Sequence, residues 1–290
     1  VIGEEMKLTV EEFIQLRDII YDKAGLFFEE KKIYFVKKRV EQRLEALAIP
    51  DVTEYYNLLK YKDKAGRELQ VLLNRLTTNE TFFFREENQL NVFRDHCLPE
   101  VIDFKRRKRE NTIKIWSAGC SSGEEPYTLA ILLKEKIIDF SSWNIVITGT
   151  DIDTEILEKA KTGVYNERSL RFTAPNMLAK YFTRNQDNEY IINFEIKKMV
   201  TFHHVNLFDS LKMRIFRGID FIFCRNVLIY FDDTARKSVM ANFYDSLNPG
   251  GYIYLGHSES VTRINSAFDI KRAGGFIVHQ KPGPKEVKFP

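Results

Sequence analysis

Two adjacent carboxylates, Glu124 and Glu125, follow directly on a run of small residues, Ala118-Gly119-Cys120-Ser121-Ser122-Gly123. Small side chains let a ligand approach the backbone closely. Acids favour a helix N-terminus and Pro126 fits its first turn, so a helix opens here. The acids also select the ligand. A phosphate-binding turn carries lysine or leaves bare amides at the helix start. Two carboxylates in that place would repel pyrophosphate and suit a ligand bearing an ammonium or sulfonium. The spacing is not G-x-G-x-x-G, and the turn alone is also compatible with an ordinary strand-to-helix connection in an α/β protein.

Further polar residues stand where other apolar runs end: Asp151 after 144–150, Asn206 with Leu207 after 199–205, and Arg225 with Asn226 after 218–224. Open α/β sheets bind ligands at the carboxyl ends of their strands. An acid ending the second strand is where dinucleotide-type folds hold ribose hydroxyls, because one carboxylate accepts from both. The separation of Gly123 from Asp151 exceeds the usual ~20 residues, which a longer first helix accommodates. His203 and His204 are neighbours on one strand, point to opposite faces and cannot chelate one ion. Cys97, Cys120 and Cys224 lack any metal-ligand spacing, so no metal is expected.

The elements that must position these residues alternate. A buried strand around Ile113, Ile115 and Trp116 leads into a helix with Leu129, Ile131, Leu132 and Leu133 on its apolar face. A strand at 144–150 is followed by a helix over 154–161. Residues 163–198 break the alternation with a polar stretch, a short helix and a strand near a hairpin, which reads as an inserted subdomain. The run GIDFIFC at 218–224 is continuously apolar, as for a strand buried on both faces. A helix over 232–247, a strand over 252–255 and a terminal hairpin from 267–271 and 275–280 complete the sheet, and KPGPKEVKFP is a frayed tail.

Upstream, residues to about 74 read as helical. Val10, Phe13, Ile14, Leu16 and Ile20 recur at helical spacing before a stop at Gly25. A helix over 30–48 places Ile33, Val36, Val40, Leu44 and Leu47 on one face. Beside that face Lys32, Arg39 and Arg43 align, with Lys31 and Lys38 nearby and Glu41 the only acid inside 31–43. Such a stripe is either a solvated face or a surface for an acidic partner. Two more helices follow at 52–59 and 67–76. Next comes RLTTNETFFFREENQLNVF, where Phe82–Phe84 are flanked by Asn79, Thr81 and Arg85. The phenylalanines read as a plug in the seam between domains, and the polar residues as candidates to touch a ligand. The basic run at 105–109 reads as a solvated loop entering the first strand.

Composition bounds the function. The chain has 290 residues and a formal net charge of +3, too small to argue by itself for a nucleic-acid partner. No stretch approaches ~18 apolar residues, so no membrane insertion is expected, and the acidic, amphipathic N-terminus does not read as a signal peptide. Three widely spaced cysteines fit reduced thiols in the cytoplasm. The expected organisation is an all-helical N-terminal domain at 1–76, a linker segment at 77–110 and an α/β domain at 111–290, with the insertion at about 163–198.

The motifs TNETFFFRE, SAGCSSGEEPY, TDIDTEILEKAKTGVY, NLFD, FCRNVLIYF and LGHSES occur in that order. With them the chain resembles the chemotaxis receptor methyltransferases of the CheR type over nearly its whole length. The resemblance implies a Rossmann-like class I methyltransferase domain with a small β-containing insertion behind an all-helical domain. It also implies S-adenosylmethionine-dependent methylation of glutamate side chains on the cytoplasmic helices of chemoreceptors, with S-adenosylhomocysteine as product, carried out by a monomer. Carried over by motif, Asn79, Thr81 and Arg85 contact the cofactor. One or both of Glu124 and Glu125 hold its ammonium end and Asp151 its ribose. Asn206 and Leu207 flank the adenine, Arg225 and Asn226 close the pocket, and Tyr230 lies nearest the transferred methyl, with Arg85 beside it in the catalytic set. Lys32, Arg39 and Arg43 are the expected receptor-facing stripe.

Some family members dock a tethered receptor peptide on a glycine-rich hairpin loop of the insertion. Here the matching loop, TRNQDNEY, has no glycine, which leaves recognition to the basic stripe. The rival readings are a non-catalytic S-adenosylmethionine-binding adaptor, and a methyltransferase for another protein or a nucleic acid. The Asn/Asp-Pro-Pro-Tyr run of amide and adenine methylation is absent after the fourth strand, where Arg225-Asn226-Val227-Leu228 stands.

Overall fold

The computed structural model describes residues 8–259 and 267–283. Ten strands lie among them: β1 (Thr112–Ala118), β2 (Asn144–Asp151), β3 (Val164–Tyr165), β4 (Phe182–Arg184), β5 (Tyr190–Ile192), β6 (Val200–His204), β7 (Ile219–Cys224), β8 (Leu247–Leu255), β9 (Asp269–Ala273) and β10 (Phe276–Gln280). Seven form one sheet in the order β6-β2-β1-β7-β8-β10-β9. The first five of that order run parallel, and the terminal hairpin β9–β10 adds antiparallel to β8. The order reverses at β1, which is flanked by β2 and β7, so the crevice at a topological switch point opens above its carboxyl end.

The helix Glu124–Lys136 joins β1 to β2 and is buried from Pro126 through Leu133 rather than on one face only. Two layers enclose it. The insertion contributes a second sheet, β3-β5-β4, and residues 87–107 contribute a near-continuous helical stretch. Within that stretch Phe93 packs edge-on against Phe221, Phe223 and Tyr254. Phe83 packs edge-on against Tyr165 and Phe182. The plug expected between domains therefore seals the insertion against the sheet, and only Phe83 of the three phenylalanines is fully buried.

The basic run at 105–109 is solvated from Arg106 to Arg109, as expected, but it is not all loop and Lys105 is not solvated. The helix Leu98–Arg107 carries its first half, and Lys105 is buried with its ammonium 2.9 Å from Asp220, a partner on β7 far away in sequence. A buried lysine is tolerated because it is paired.

The N-terminal region is helical as expected: Val10–Ala24, Ile33–Leu47, Val52–Asn57 and Arg67–Leu76. Thr9 and Glu12 form a reciprocal capping box at its first helix, and Gly25 ends that helix with φ +70°. Its buried side chains, including Phe13, Leu16, Val36 and Leu72, share one hydrophobic cluster with Trp116, Ile222 and Phe243 of the α/β domain. Backbone pairing reinforces the contact, because Leu26 bridges Phe231 and Phe27 N–H donates to the Tyr230 carbonyl at 2.9 Å. The helical region thus covers one face of the sheet and reaches its carboxyl end. No helix among the described residues is long and apolar enough to cross a membrane.

Candidate active site

β1 ends at Ala118, and the chain turns through Gly119 at φ +79°. A Cβ on Gly119 would meet Val227 at 2.3 Å, so the small residue is required twice, by conformation and by space. The turn is stitched to β2: the Gly119 and Cys120 amides both donate to the Thr150 carbonyl, at 2.7 and 2.9 Å. Asp151, the next residue, accepts from the Ser121 amide at 2.8 Å and the Asp153 amide at 3.0 Å. Its carboxylate is buried, and burial outweighs those amides and pushes its pKa up to about 6.

The two acids after the turn part company. Glu125 accepts from Ser117 Oγ at 2.7 Å and from Arg225 Nε at 2.6 Å and lines the cavity. Glu124, expected as a possible partner for the same ligand, is turned away from the cavity lining. It is 1 % exposed and accepts from Ser122 Oγ at 2.7 Å and Ser169 Oγ at 3.1 Å, tying the helix start to the insertion. Burial raises its pKa, and the two hydroxyl donors partly offset that. Consecutive helical residues point about 100° apart, so one faces the crevice and the other the insertion.

Arg225, at the end of β7, is the hub of the charged groups. Besides Glu125, its Nη1 donates to the Arg85 carbonyl at 2.8 Å and lies 3.8 Å from Glu86 Oε2. That carboxylate oxygen is also 3.1 Å from His257 Nδ1, yet is buried without hydrogen-bond geometry to either group. Arg85 lines the cavity with its own guanidinium anchored on the Glu80 carbonyl at 2.8 Å. Asn79 donates to Asp153 at 2.7 Å, and its carbonyl accepts from Ser121 Oγ at 3.2 Å. The segment before the three phenylalanines is thereby laid across the glycine turn.

Asn226 sits at φ +62°, and its side-chain Oδ1 is buried with no partner. The turn that carries Asn226 and Tyr230 is held by Glu259, which accepts from the amides of Gly256 at 2.7 Å, Asn226 at 2.9 Å and Ile229 at 3.3 Å. Burial raises the Glu259 pKa against the pull of those amides. Tyr230 closes a short 3₁₀ turn, Leu228–Tyr230, and lines the cavity half-buried. Asn206 is pinned by donating to the Lys23 carbonyl at 2.7 Å, so the helical region orders this wall too.

One cavity of about 950 Å³ including its mouth collects these groups: Asn79, Thr81, Arg85, Glu125, Asp151, Asn206, Leu207, Arg225, Asn226 and Tyr230 all line it. The size suits a nucleoside-bearing ligand. Leu26, Phe28 and Leu76 of the helical region and Ile152, Val205, Val227 and Phe231 of the sheet region supply apolar wall that motif reading did not reach. Their signal was only apolar character, which they share with the whole core. Glu259 was also missed. It lies inside the LGHSES motif, and only the three amides folded around it reveal what it does.

The basic stripe does not survive as one surface. Arg43 is spent inside the helical domain: its Nε and Nη2 each donate at 2.8 Å to Glu68, which also accepts from Tyr55 at 2.7 Å. Arg39 stacks 3.7 Å over the Phe35 ring and donates weakly to the Arg75 carbonyl. Lys32 is exposed, and with Lys31 it borders a second hollow of about 690 Å³. Phe28, Leu76, Thr78 and Tyr230 line both hollows, so this groove adjoins the cavity at Tyr230; Glu29 lines it as well and pairs with Lys31 at 2.5 Å, which leaves Lys32 as its unmatched charge among the described residues.

Comparison with known proteins agrees with this architecture. The family model described as "CheR methyltransferase, SAM binding domain" matches residues 79–275, and "CheR methyltransferase, all-alpha domain" matches residues 11–77. Chemotaxis protein methyltransferase 2 of Vibrio cholerae is 40% identical over 278 residues, covering 96% of this chain and 95% of its own. The chemotaxis protein methyltransferase of Borreliella burgdorferi is 34% identical, covering 88% and 90%, and that of Escherichia coli 33% identical, covering 92% and 91%. With both regions of the fold matched and the polar strand ends gathered in one cavity between them, the chain belongs to the CheR methyltransferase family.

Proposed function

We propose that the protein transfers a methyl group from S-adenosylmethionine to glutamate side-chain carboxylates on the cytoplasmic helices of chemoreceptors, in the cytoplasm. The observation that carries this reading is the single cavity in which Glu125 and Asp151 stand beside Arg85 and Tyr230. The relatives named as chemotaxis protein methyltransferases support the substrate class.

The residues present fit that cofactor. Glu125 offers a carboxylate to an ammonium group, and Arg225 holds it in place at 2.6 Å. Asp151 keeps lone pairs for two hydroxyls after its two amide bonds. Asn226 Oδ1 is a buried acceptor lacking a donor, which a bound ligand can supply. Leu207, Val205 and Ile152 give apolar wall for a flat base. When bound, S-adenosylmethionine supplies an electrophilic methyl on a sulfonium, an activated leaving group.

The chain's own residues then have little proton chemistry to do. A substrate glutamate with a pKa near ~4.3 is ionised at neutral pH, so no general base is needed. Alignment is the task, and fixing the reacting groups converts it into an effectively intramolecular step. Arg85 steers the entering carboxylate while its own guanidinium stays anchored on the Glu80 carbonyl. Tyr230, whose hydroxyl makes no hydrogen bond among the described residues, orients it at closest range. A neutral donor there matters, because a tight ion pair would blunt the nucleophile. The groove bordered by Lys31 and Lys32 leads an acidic helix toward Tyr230.

Incubation with methyl-labelled S-adenosylmethionine and chemoreceptor cytoplasmic fragments tests the reading. It predicts base-labile label on glutamate. Binding of the cofactor without transfer would instead leave an adaptor, and base-stable label would mean another acceptor.

A further inference from the structure

Beside the cavity, and joined to it through Arg85, lies a cluster of aromatic rings and guanidinium groups. Phe82 and Phe172 lie 5.1 Å apart, the first half-buried and the second 62 % exposed. Arg171 stacks over the Phe82 ring at 3.8 Å and stands 5.2 Å from Phe172, while Arg85 approaches Phe82 at 5.6 Å from the cavity side. The Arg168 side chain is 80 % exposed, 4.0 Å from Glu80.

This cluster is rigidly mounted. The Phe83 amide donates to the Ser169 carbonyl at 2.9 Å, and the Phe83 ring is locked between Tyr165 and Phe182. Ser169 Oγ in turn donates to the buried carboxylate of Glu124 at 3.1 Å. Phe82 therefore follows a backbone held by its buried neighbour, and Phe172 sits in the turn after Glu167–Leu170, closed by the Thr173 amide donating to the Leu170 carbonyl at 2.8 Å. Exposed aromatic rings held by a fixed scaffold, with arginines stacked on them, have the composition of an interface hot spot. Core packing explains Phe83 but leaves Phe172 in water.

We propose that Phe82, Arg171 and Phe172 form a docking surface for an acidic, amphipathic helical segment of the methyl-accepting protein, the stretch flanking the glutamate that enters the cavity. The inference rests on the function proposed above. The charge selects the occupant: Arg85, Arg168, Arg171 and Arg184 outnumber the acids among them, Glu80 and Glu167, so carboxylates on the partner are favoured. The ring pair takes an apolar side chain from the same helix face, since residues three and four apart lie side by side. The surface meets the cavity through Arg85, so a helix seated on it delivers a glutamate beside the reactive groups.

Phe172→Ala, Arg171→Glu and the double variant test this in the full chain, with Phe172→Trp as the conservative control. Three quantities are measured: cofactor affinity by calorimetry, KM and kcat for a panel of chemoreceptor cytoplasmic fragments, and direct binding of those fragments by fluorescence anisotropy. The double variant is expected to raise both KM and the fragment Kd by about fivefold or more. Cofactor affinity and kcat should stay within about twofold, and Phe172→Trp should behave as wild type. Unchanged KM and fragment binding in a folded double variant would overturn the surface while leaving the proposed reaction standing. Fragment binding that the variants weaken, without any methyl transfer by wild type, would uphold the surface and overturn the reaction. If wild type neither binds nor methylates any fragment, both fall.

Discussion

Arg225 donates through Nε to Glu125 at 2.6 Å while its Nη1 reaches the Arg85 carbonyl at 2.8 Å. One guanidinium from the end of β7 thereby fixes the acid at the start of the β1-following helix and the backbone of the segment before the sheet. Three stretches far apart in sequence meet on one side chain, whose planar fork suits such divided duty. Because the pair is nearly buried, its members are committed to each other and to whatever cation joins them.

Glu125→Gln should weaken S-adenosylmethionine binding by roughly 1.5–3 kcal/mol, the loss of a charge-assisted bond plus an unpaired Arg225. Glu124→Gln, its neighbour, should leave affinity nearly unchanged and act instead on the seating of the insertion. Calorimetry on both variants, with thermal melts alongside, separates the roles. Equal affinity losses would contradict the different directions in which the two acids point.

Asp151 should make cofactor binding pH-dependent. Its folded pKa is raised to about 6 by burial, above the ordinary value of 3.8. The sign follows: the folded state without ligand holds the proton more tightly than the unfolded chain. This group's contribution to stability is full below the unfolded value and is lost as pH rises through about 6. Ribose hydroxyls need the ionised form, so affinity should fall by up to about tenfold per pH unit below that point. Asp151→Asn should flatten the profile between pH 5 and 7, as read by titration at fixed ionic strength.

Tyr230→Phe should lower kcat while leaving cofactor affinity within about twofold, since the hydroxyl is proposed to touch the acceptor carboxylate. Arg85→Ala should impair cofactor binding or turnover with little loss of stability, because its anchor is one backbone carbonyl on the same segment. A lowered melting temperature with turnover per folded molecule spared would make Arg85 a structural staple.

The basic helix should behave in two ways. Arg43→Glu breaks a bidentate pair and leaves Glu68 opposed by a like charge, so it should destabilise the helical domain by roughly 3 kcal/mol or more. Lys31→Glu with Lys32→Glu should leave the melting temperature alone and slow receptor methylation, more so at low salt. A joint reversal of Lys32, Arg39 and Arg43 would confuse docking with unfolding, so initial rates and melts are needed on the separate variants.

Much of this protein was legible in its residues. Apolar character gave β1 and β7, the strands buried along most of their length, while β2 and the exposed edge strand β6 were legible from the alternation with helices and from the polar residues at their carboxyl ends. Helical spacing gave the N-terminal helices, and the unbroken order of six motifs gave the family. What sequence by itself could not decide was direction and partnership. It could not separate Glu124 from Glu125, since one step along a helix turns a side chain from crevice to insertion. It could not tell Arg43 from Lys32, because the pairing of Arg43 depends on Glu68 in another helix. Lys105 looked solvated for the same reason, its partner Asp220 lying on β7. Local periodicity carries backbone shape and burial; which charges meet is settled only when distant elements pack, and that packing gave Arg225, Glu259 and the aromatic cluster their places.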